Sequence, residues 1–229
     1  GLAAGCRELA ACFVRGDGVA KDADKGTALY RNGCEHGDRA SCTALGRLLE
    51  SGNGVAQDLA GAARLYLDAC KQNDLSACAR LGGFYEQGRV GPPKKKAARE
   101  LYERACSGGD ALGCGHLGAA MLAAGENVKR ALELVQGSCT AGIGAGCGGL
   151  AKALEAGRGI GRDPKRAAEL YAMACDDDDA ESCWSLALMV AQGRGVAQST
   201  EQSQALLRRA CELGSARACR DAHRLEKAE

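Results

Sequence analysis

The sequence predicts an all-α fold, a right-handed α/α solenoid of stacked helix–turn–helix units. Three observations predict it. Leaving out Cys6 and Cys12, the cysteines form six pairs spaced i, i+8, and successive pairs begin 36, 36, 33, 36 and 36 residues apart. Two apolar stripes of helical spacing keep the same clock. Glycine closes the first stripe at a fixed phase in nearly every copy. A period of this length marks stacked supersecondary repeats, each too small to bury a core alone.

The first stripe defines a helix A. Leu9, Leu45, Leu81, Leu117, Leu150 and Leu186 share one phase, and Phe13, Leu49, Tyr85, Met121, Leu154 and Val190 follow one turn later on the same face. Helix A of the second unit is expected over about Ser41 to Glu50, with Gly52 and Gly54 ending it where the chain takes positive φ. The second stripe defines a helix B: Leu29-Tyr30, Leu65-Tyr66, Leu101-Tyr102, Leu134-Val135, Leu170-Tyr171 and Leu206-Leu207. Asp58 is an N-cap for the second helix B, and Asp163 followed by Pro164 starts the fifth. The chain thus reads as one solenoid of units 6–41, 42–77, 78–113, 114–146, 147–182 and 183–218, closed by a charged capping helix over 219–229. The fourth unit is three residues short between Gly125 and Arg130, which predicts a clipped A–B turn and a local change of curvature.

Composition narrows the function classes. Lys and Arg total 30 against 29 Asp and Glu, a formal net charge of +1. A phosphate-binding surface needs a clear cationic excess, so nucleic acid is not an expected partner. No apolar run approaches the roughly 20 residues that span a bilayer, and no signal-peptide pattern opens the chain. The chain opens on Gly1 rather than Met, consistent with a processed or trimmed chain. Apolar residues at 46% and charged residues at 26% are ordinary globular values and argue against wholesale disorder.

The run Cys42, Leu45, Gly46, Leu49, Gly52, Gly54 and Val55 resembles the Sel1-like repeat, a relative of the tetratricopeptide repeat. So does the run Leu150, Leu154, Gly157, Gly159 and Ile160, continuing through Asp163 and Pro164 to Leu170 and Tyr171. The paired cysteines make the chain similar to the cysteine-rich branch of that family, typified by the Helicobacter cysteine-rich proteins. The resemblance implies a periplasmic or secreted solenoid stapled by disulfides. The fourth unit departs from the pattern by lacking the Gly-x-Gly turn, and the sixth has Leu207 where Tyr is usual.

A helix–turn–helix corner can bring i and i+8 within disulfide range, Cα atoms roughly 4.4–6.8 Å apart. The expected bridges are Cys34–Cys42, Cys70–Cys78, Cys106–Cys114, Cys139–Cys147, Cys175–Cys183 and Cys211–Cys219. Metal ligation and free or redox thiols stay open as alternatives, although the close Cys-x-x-Cys spacing usual for both is absent. Bridges in this number imply an oxidising compartment. Cys6 has the phase of Cys42 without a partner, and is a candidate for an intermolecular bond. Cys12 has the phase of Leu48 and Phe84 and is expected to pack as a small apolar residue.

Signs of chemistry are few. His36, His116 and His223 fall at different phases, and no Ser-x-x-Lys, Gly-x-Ser-x-Gly or P-loop occurs. Gly144, Gly146 and Gly149 match a dinucleotide-binding pattern but follow a helix, and are expected in an inter-helix turn. Asp176 to Asp179 are expected as a solvated turn. No cofactor and no metal is expected.

By resemblance to tetratricopeptide grooves, a concave helix A face binds a protein or extended peptide. The positions that the resemblance assigns are Arg7, Thr43, Arg47, Glu50, Glu86, Ala119, Leu122, Lys152, Glu155, Trp184 and Leu188. The expected function is a non-catalytic, monomeric, extracytoplasmic binding scaffold. Family resemblance implies two alternatives: a β-lactam-binding or weakly hydrolysing protein of the Helicobacter type, and a thiol- or cofactor-handling assembly factor.

Overall fold

The computed structural model describes residues 2–226. The last three residues of the expected capping segment, 227–229, lie outside them. The described residues form thirteen helices and no strand. They cluster into two compact units, Gly1–Gly113 and Cys114–Glu229.

The first unit contains α1 (Leu2–Arg15), α2 (Ala23–Glu35), α3 (Arg39–Ser51), α4 (Leu59–Lys71), α5 (Leu75–Gln87) and α6 (Lys95–Ser107). The boundary falls within α7 (Ala111–Ala124). The second unit continues with α8 (Val128–Thr140), α9 (Gly144–Ala156), α10 (Pro164–Asp176), α11 (Ala180–Gln192), α12 (Thr200–Glu212) and α13 (Ala216–Glu226). Odd-numbered helices are the A helices of the sequence pattern and even-numbered ones the B helices, so each unit is a stretch of α/α solenoid.

The expected start and stop signals operate. The Asp58 carboxylate accepts from Gly61 N at 2.8 Å and the Asp163 carboxylate from Arg166 N at 3.0 Å, each satisfying an orphan donor of the first helical turn. Gly52 ends α3 with φ 69°, a left-handed backbone that costs glycine nothing. In the clipped fourth repeat, Gly125 takes the left-handed conformation, and Asn127 caps α8 two residues later.

Packing follows the two stripes. Tyr66, Tyr102 and Tyr171 are essentially fully buried, as are Leu81, Leu154 and Val135. A Cβ on Gly46 would stand 2.7 Å from the Tyr66 ring, and one on Gly82 would stand 2.5 Å from the Tyr102 ring. Only glycine lets helix A approach helix B this closely. The N-terminal end departs from the pattern. Leu9 is 44% exposed while its counterpart Leu45 is 5% exposed. Leu45 packs with Tyr30 of α2, and among the described residues no helix takes that place beside Leu9.

The corners are tighter than the sequence suggests. Helix α2 ends at Glu35 and α3 begins at Arg39, leaving only His36, Gly37 and Asp38 between them. Cys42 therefore sits inside helix A rather than opening it. Across these corners Cys34–Cys42, Cys70–Cys78, Cys139–Cys147, Cys175–Cys183 and Cys211–Cys219 are bonded, with Cα separations of 4.6, 4.7, 4.5, 4.6 and 4.6 Å. Cys106 and Cys114 are disulfide-bonded as well. Each such loop contributes about 2.5 kcal/mol in the chain-entropy account. Cys6 and Cys12 are free and half-buried, so Cys12 is less enclosed than the buried Leu48 and Phe84 of its phase.

Two expected turns differ. Gly144, Gly146 and Gly149 lie within α9, where a Cβ on Gly146 would meet Cys139 N at 2.6 Å; they are packing glycines at a helix crossing. The Asp176–Asp179 run is not merely solvated. Asp177 accepts from Gly144 N at 2.7 Å, Asp179 from Ser182 Oγ, and Asp176 and Asp178 both face Arg209. No described helix is long and apolar enough to cross a membrane.

Candidate functional site

The helix A positions singled out above fall into three rows, and the structure gives each row a different task. The first row, one residue after the second cysteine of a corner pair, reaches the next repeat. Arg7 Nη1 faces Asp38 at 3.3 Å, and the buried Thr43 donates its hydroxyl to Asp74 at 2.8 Å. Trp184, half-buried, donates Nε1–H to Asp221 on α13 at 2.8 Å, and the Arg217 guanidinium lies 5.6 Å from its ring centroid. The Trp184 bond, followed by Arg224, holds the Asp221 carboxyl below the usual carboxylate range.

The third row, eight residues after that cysteine, forms clasps. Glu50 Oε2 accepts from Tyr66 Oη at 2.7 Å, Glu86 from Tyr102 at 2.8 Å, and Glu155 from Tyr171 at 2.9 Å. Burial first, and the neighbouring carboxylate second, push all three tyrosine hydroxyls above the ordinary tyrosine range. They are therefore donors across the physiological range. An arginine from the turn of the following repeat closes two of the clasps: Arg89 Nη1 on Glu50 Oε1, and Arg194 Nη1 on Glu155 Oε1 at 2.6 Å. The Arg89 guanidinium also lies 4.4 Å from the Phe84 ring centroid. Where the row carries buried Leu122, Arg158 turns to its backbone carbonyl at 2.8 Å.

The middle row, five residues after the cysteine, is left facing outward. Arg47 and Lys152 are exposed, and Ala119 and Leu188 are half-buried. Thr43 and Leu122 are thus less accessible than a solvent-facing groove position would be, because the first row turns toward the next repeat and the third toward helix B. The residues that sequence reasoning passed over are the clasp partners Tyr66, Tyr102, Tyr171, Arg80, Arg89 and Arg194.

Among the described residues no group of three or more His, Cys, Asp or Glu side chains is placed to hold a metal ion. A concavity beside α8 is lined by Val128, Lys129, Leu132, Glu133, Gln136 and Ile160.

Comparison with known proteins bears on the fold. The family model described as Sel1 repeat matches residues 3–38, 39–74, 75–110, 145–179 and 180–215, well over half of the chain. The crystal structure of a Sel1 repeat protein from Oxalobacter formigenes is similar, with TM-score 0.62 and 23% identity, covering 91% of this chain and 84% of that one. Immunity protein Pa5087 from Pseudomonas aeruginosa is similar at TM-score 0.57 and 14% identity, covering 93% and 82%. Helicobacter pylori cysteine rich protein B matches at 24% identity over 73% of this chain and 97% of its own, with TM-score 0.31. Among curated proteins there is no significant match.

Proposed function

The chain belongs to the Sel1 repeat family, and from that premise we propose that it is a non-catalytic scaffold whose helix A faces bind a protein or extended peptide. It works as a single chain in an oxidising compartment outside the cytoplasm. The observation that carries this reading is the division of labour on helix A. Two rows are consumed by contacts that hold the repeats together, while the middle row, with Arg47, Ala119, Lys152 and Leu188, makes no comparable contact and varies from repeat to repeat. Variation on a rigid, regularly spaced row is what a recognition surface requires.

The disulfides support both the compartment and the mechanism. Corner bonds of this number are kept where thiols are oxidised. A repeat array held covalently at its corners presents its side chains with little ordering to do on binding, which favours affinity. The test is selection of displayed peptides on the immobilised, oxidised chain. Peptides so enriched are expected to lose binding to Arg47→Ala, Lys152→Ala or Leu188→Ala, all in the middle row. Enriched peptides that bind all three variants as well as the parent would contradict the reading.

A further inference from the structure

The clasps at Glu50 and Glu155 are built alike but differ in charge. Each has a tyrosine on Oε2, an arginine from the following turn on Oε1, and an exposed cation three residues before the glutamate, Arg47 or Lys152. The Glu50 clasp has one member more. Arg80 Nη1 lies 3.8 Å from Glu50 Oε2, on a side chain only 27% exposed. The corresponding position beside Glu155 is Ser185, which donates its hydroxyl to the Glu181 carbonyl at 2.8 Å.

Arg80 is poorly satisfied. A guanidinium carries five N–H donors and is strongly driven to meet acceptors when buried. Among the described residues no hydrogen bond from Arg80 is found, and its Nε is buried without a partner. Arg194 Nε is also without an acceptor, but Arg194 Nη1 reaches Glu155 at 2.6 Å. The Glu50 carboxylate takes Tyr66 on Oε2 and Arg89 on Oε1, while Arg80 stands beyond hydrogen-bond distance of Oε2 at 3.8 Å. Arg47 and Arg80 both lie close enough to bear electrostatically on the Tyr66 hydroxyl. Two guanidinium groups therefore face one carboxylate, with Arg47 exposed one helical turn away, and the Glu155 clasp shows that the fold does not require the extra cation.

We propose that Arg47, Arg80 and Arg89 around Glu50 form a carboxylate-binding site that takes an aspartate or glutamate side chain of an extended acidic peptide. Arg80 supplies Nη1 and Nη2, which unlike its Nε are not buried and can meet a carboxylate in two parallel bonds. Arg47, one helical turn before Glu50, meets the same group from solvent. Arg89 stays on Glu50 and on the Phe84 ring, fixing the wall of the site. The inference rests on the proposal that helix A faces bind a partner, and it names the chemistry read in the first unit.

The experiment uses the full, oxidised chain and a fluorescent, end-blocked Gly-Glu-Glu-Gly peptide as probe, with its Gly-Gln-Gln-Gly counterpart, followed by anisotropy at low and moderate salt. The acidic probe is expected to bind, more weakly as salt rises, and the amide counterpart is not. Arg80→Met and Arg47→Met should each lower affinity about tenfold, and Lys165→Met, which removes an exposed cation of α10, should leave it unchanged. Should Arg80→Met fail to fold by circular dichroism, Arg80→Lys, which keeps the charge and loses the fork, must lower affinity in its place. Absent binding of the acidic probe, equal binding of the amide counterpart, or unchanged affinity in the Arg80 variant overturns the site. Displayed peptides that depend on Lys152 and Leu188 but not on Arg80 would overturn it while leaving the scaffold reading in place.

Discussion

The clasp at Glu155 holds one carboxylate, one tyrosine hydroxyl and one guanidinium, whereas the clasp at Glu50 holds the same three groups and Arg80 besides. The balanced version shows what the fold needs. A helix A carboxylate takes the hydroxyl of a buried tyrosine on the following helix B and an arginine from the next A–B turn, and so ties three consecutive elements together. The unbalanced version shows what remains when that need is met. A cation kept half-buried beyond hydrogen-bond distance of its carboxylate is a stability cost, and such costs are commonly retained where a protein binds something.

The comparison can be broken most forcefully at the carboxylates. Glu50→Gln leaves two arginines without their anion, and is expected to lower unfolding free energy by about 3 kcal/mol in urea titrations, against about 2 kcal/mol for Glu155→Gln. Equal losses would mean that Arg80 is not coupled to Glu50. The tyrosines sharpen the point with the opposite ranking. Tyr171→Phe removes a bond to a charged acceptor and should cost about 1.5 kcal/mol. Tyr66→Phe should cost about half as much, because Arg80 stands 3.8 Å from the freed oxygen and can close on it. A larger loss at Tyr66 than at Tyr171 would contradict this.

Alkaline titration gives a smaller, shared effect. The folded-state tyrosine pKa values lie above the unfolded value of 10.0, so their contribution is complete below that pH and is lost as pH rises beyond it. The melting temperature should fall above about pH 10, and fall less steeply in the Tyr66→Phe and Tyr171→Phe variants. Parallel curves for parent and variants would show that the clasps do not govern the slope. The smallest expected effect is at α13. Asp221 titrates below its unfolded value of 3.8, so its contribution is present above that pH and is lost as pH falls further. The emission of Trp184, the single tryptophan, should shift in that acid range in the parent and not in Asp221→Asn.

Much of this was legible in the sequence because repetition displays it. The corner cysteines, the Gly52-type helix stops and the Asp58 and Asp163 caps are local signals, and each recurs at one phase. The tyrosine clasps were written there too, although they join residues of different helices. Glutamate occupies the third row wherever helix B has Tyr66, Tyr102 or Tyr171, while Leu122 goes with Val135 and Ala191 with Leu207. Tyr30 is the exception, standing opposite Val14. What periodicity could not reveal is direction across repeats. Thr43 and Arg47 share one helix face by spacing, yet Thr43 is spent on the next corner and Arg47 is not. Leu9 carries the phase of a core residue, yet among the described residues no helix packs on it as α2 packs on Leu45. The run from Gly144 to Gly149 reads as a turn by composition, yet it lies in α9, where its glycines leave room for Ser138, Val135 and the Cys139 backbone.

Covalently closed corners, together with the row contacts, hold the helix A rows in fixed positions. Alkylation of the native protein in denaturant without reductant, read by intact mass and peptide mapping, tests that directly. The account predicts labels on Cys6 and Cys12 alone, the two free thiols. Labels on any of the paired cysteines from Cys34 to Cys219 would contradict it.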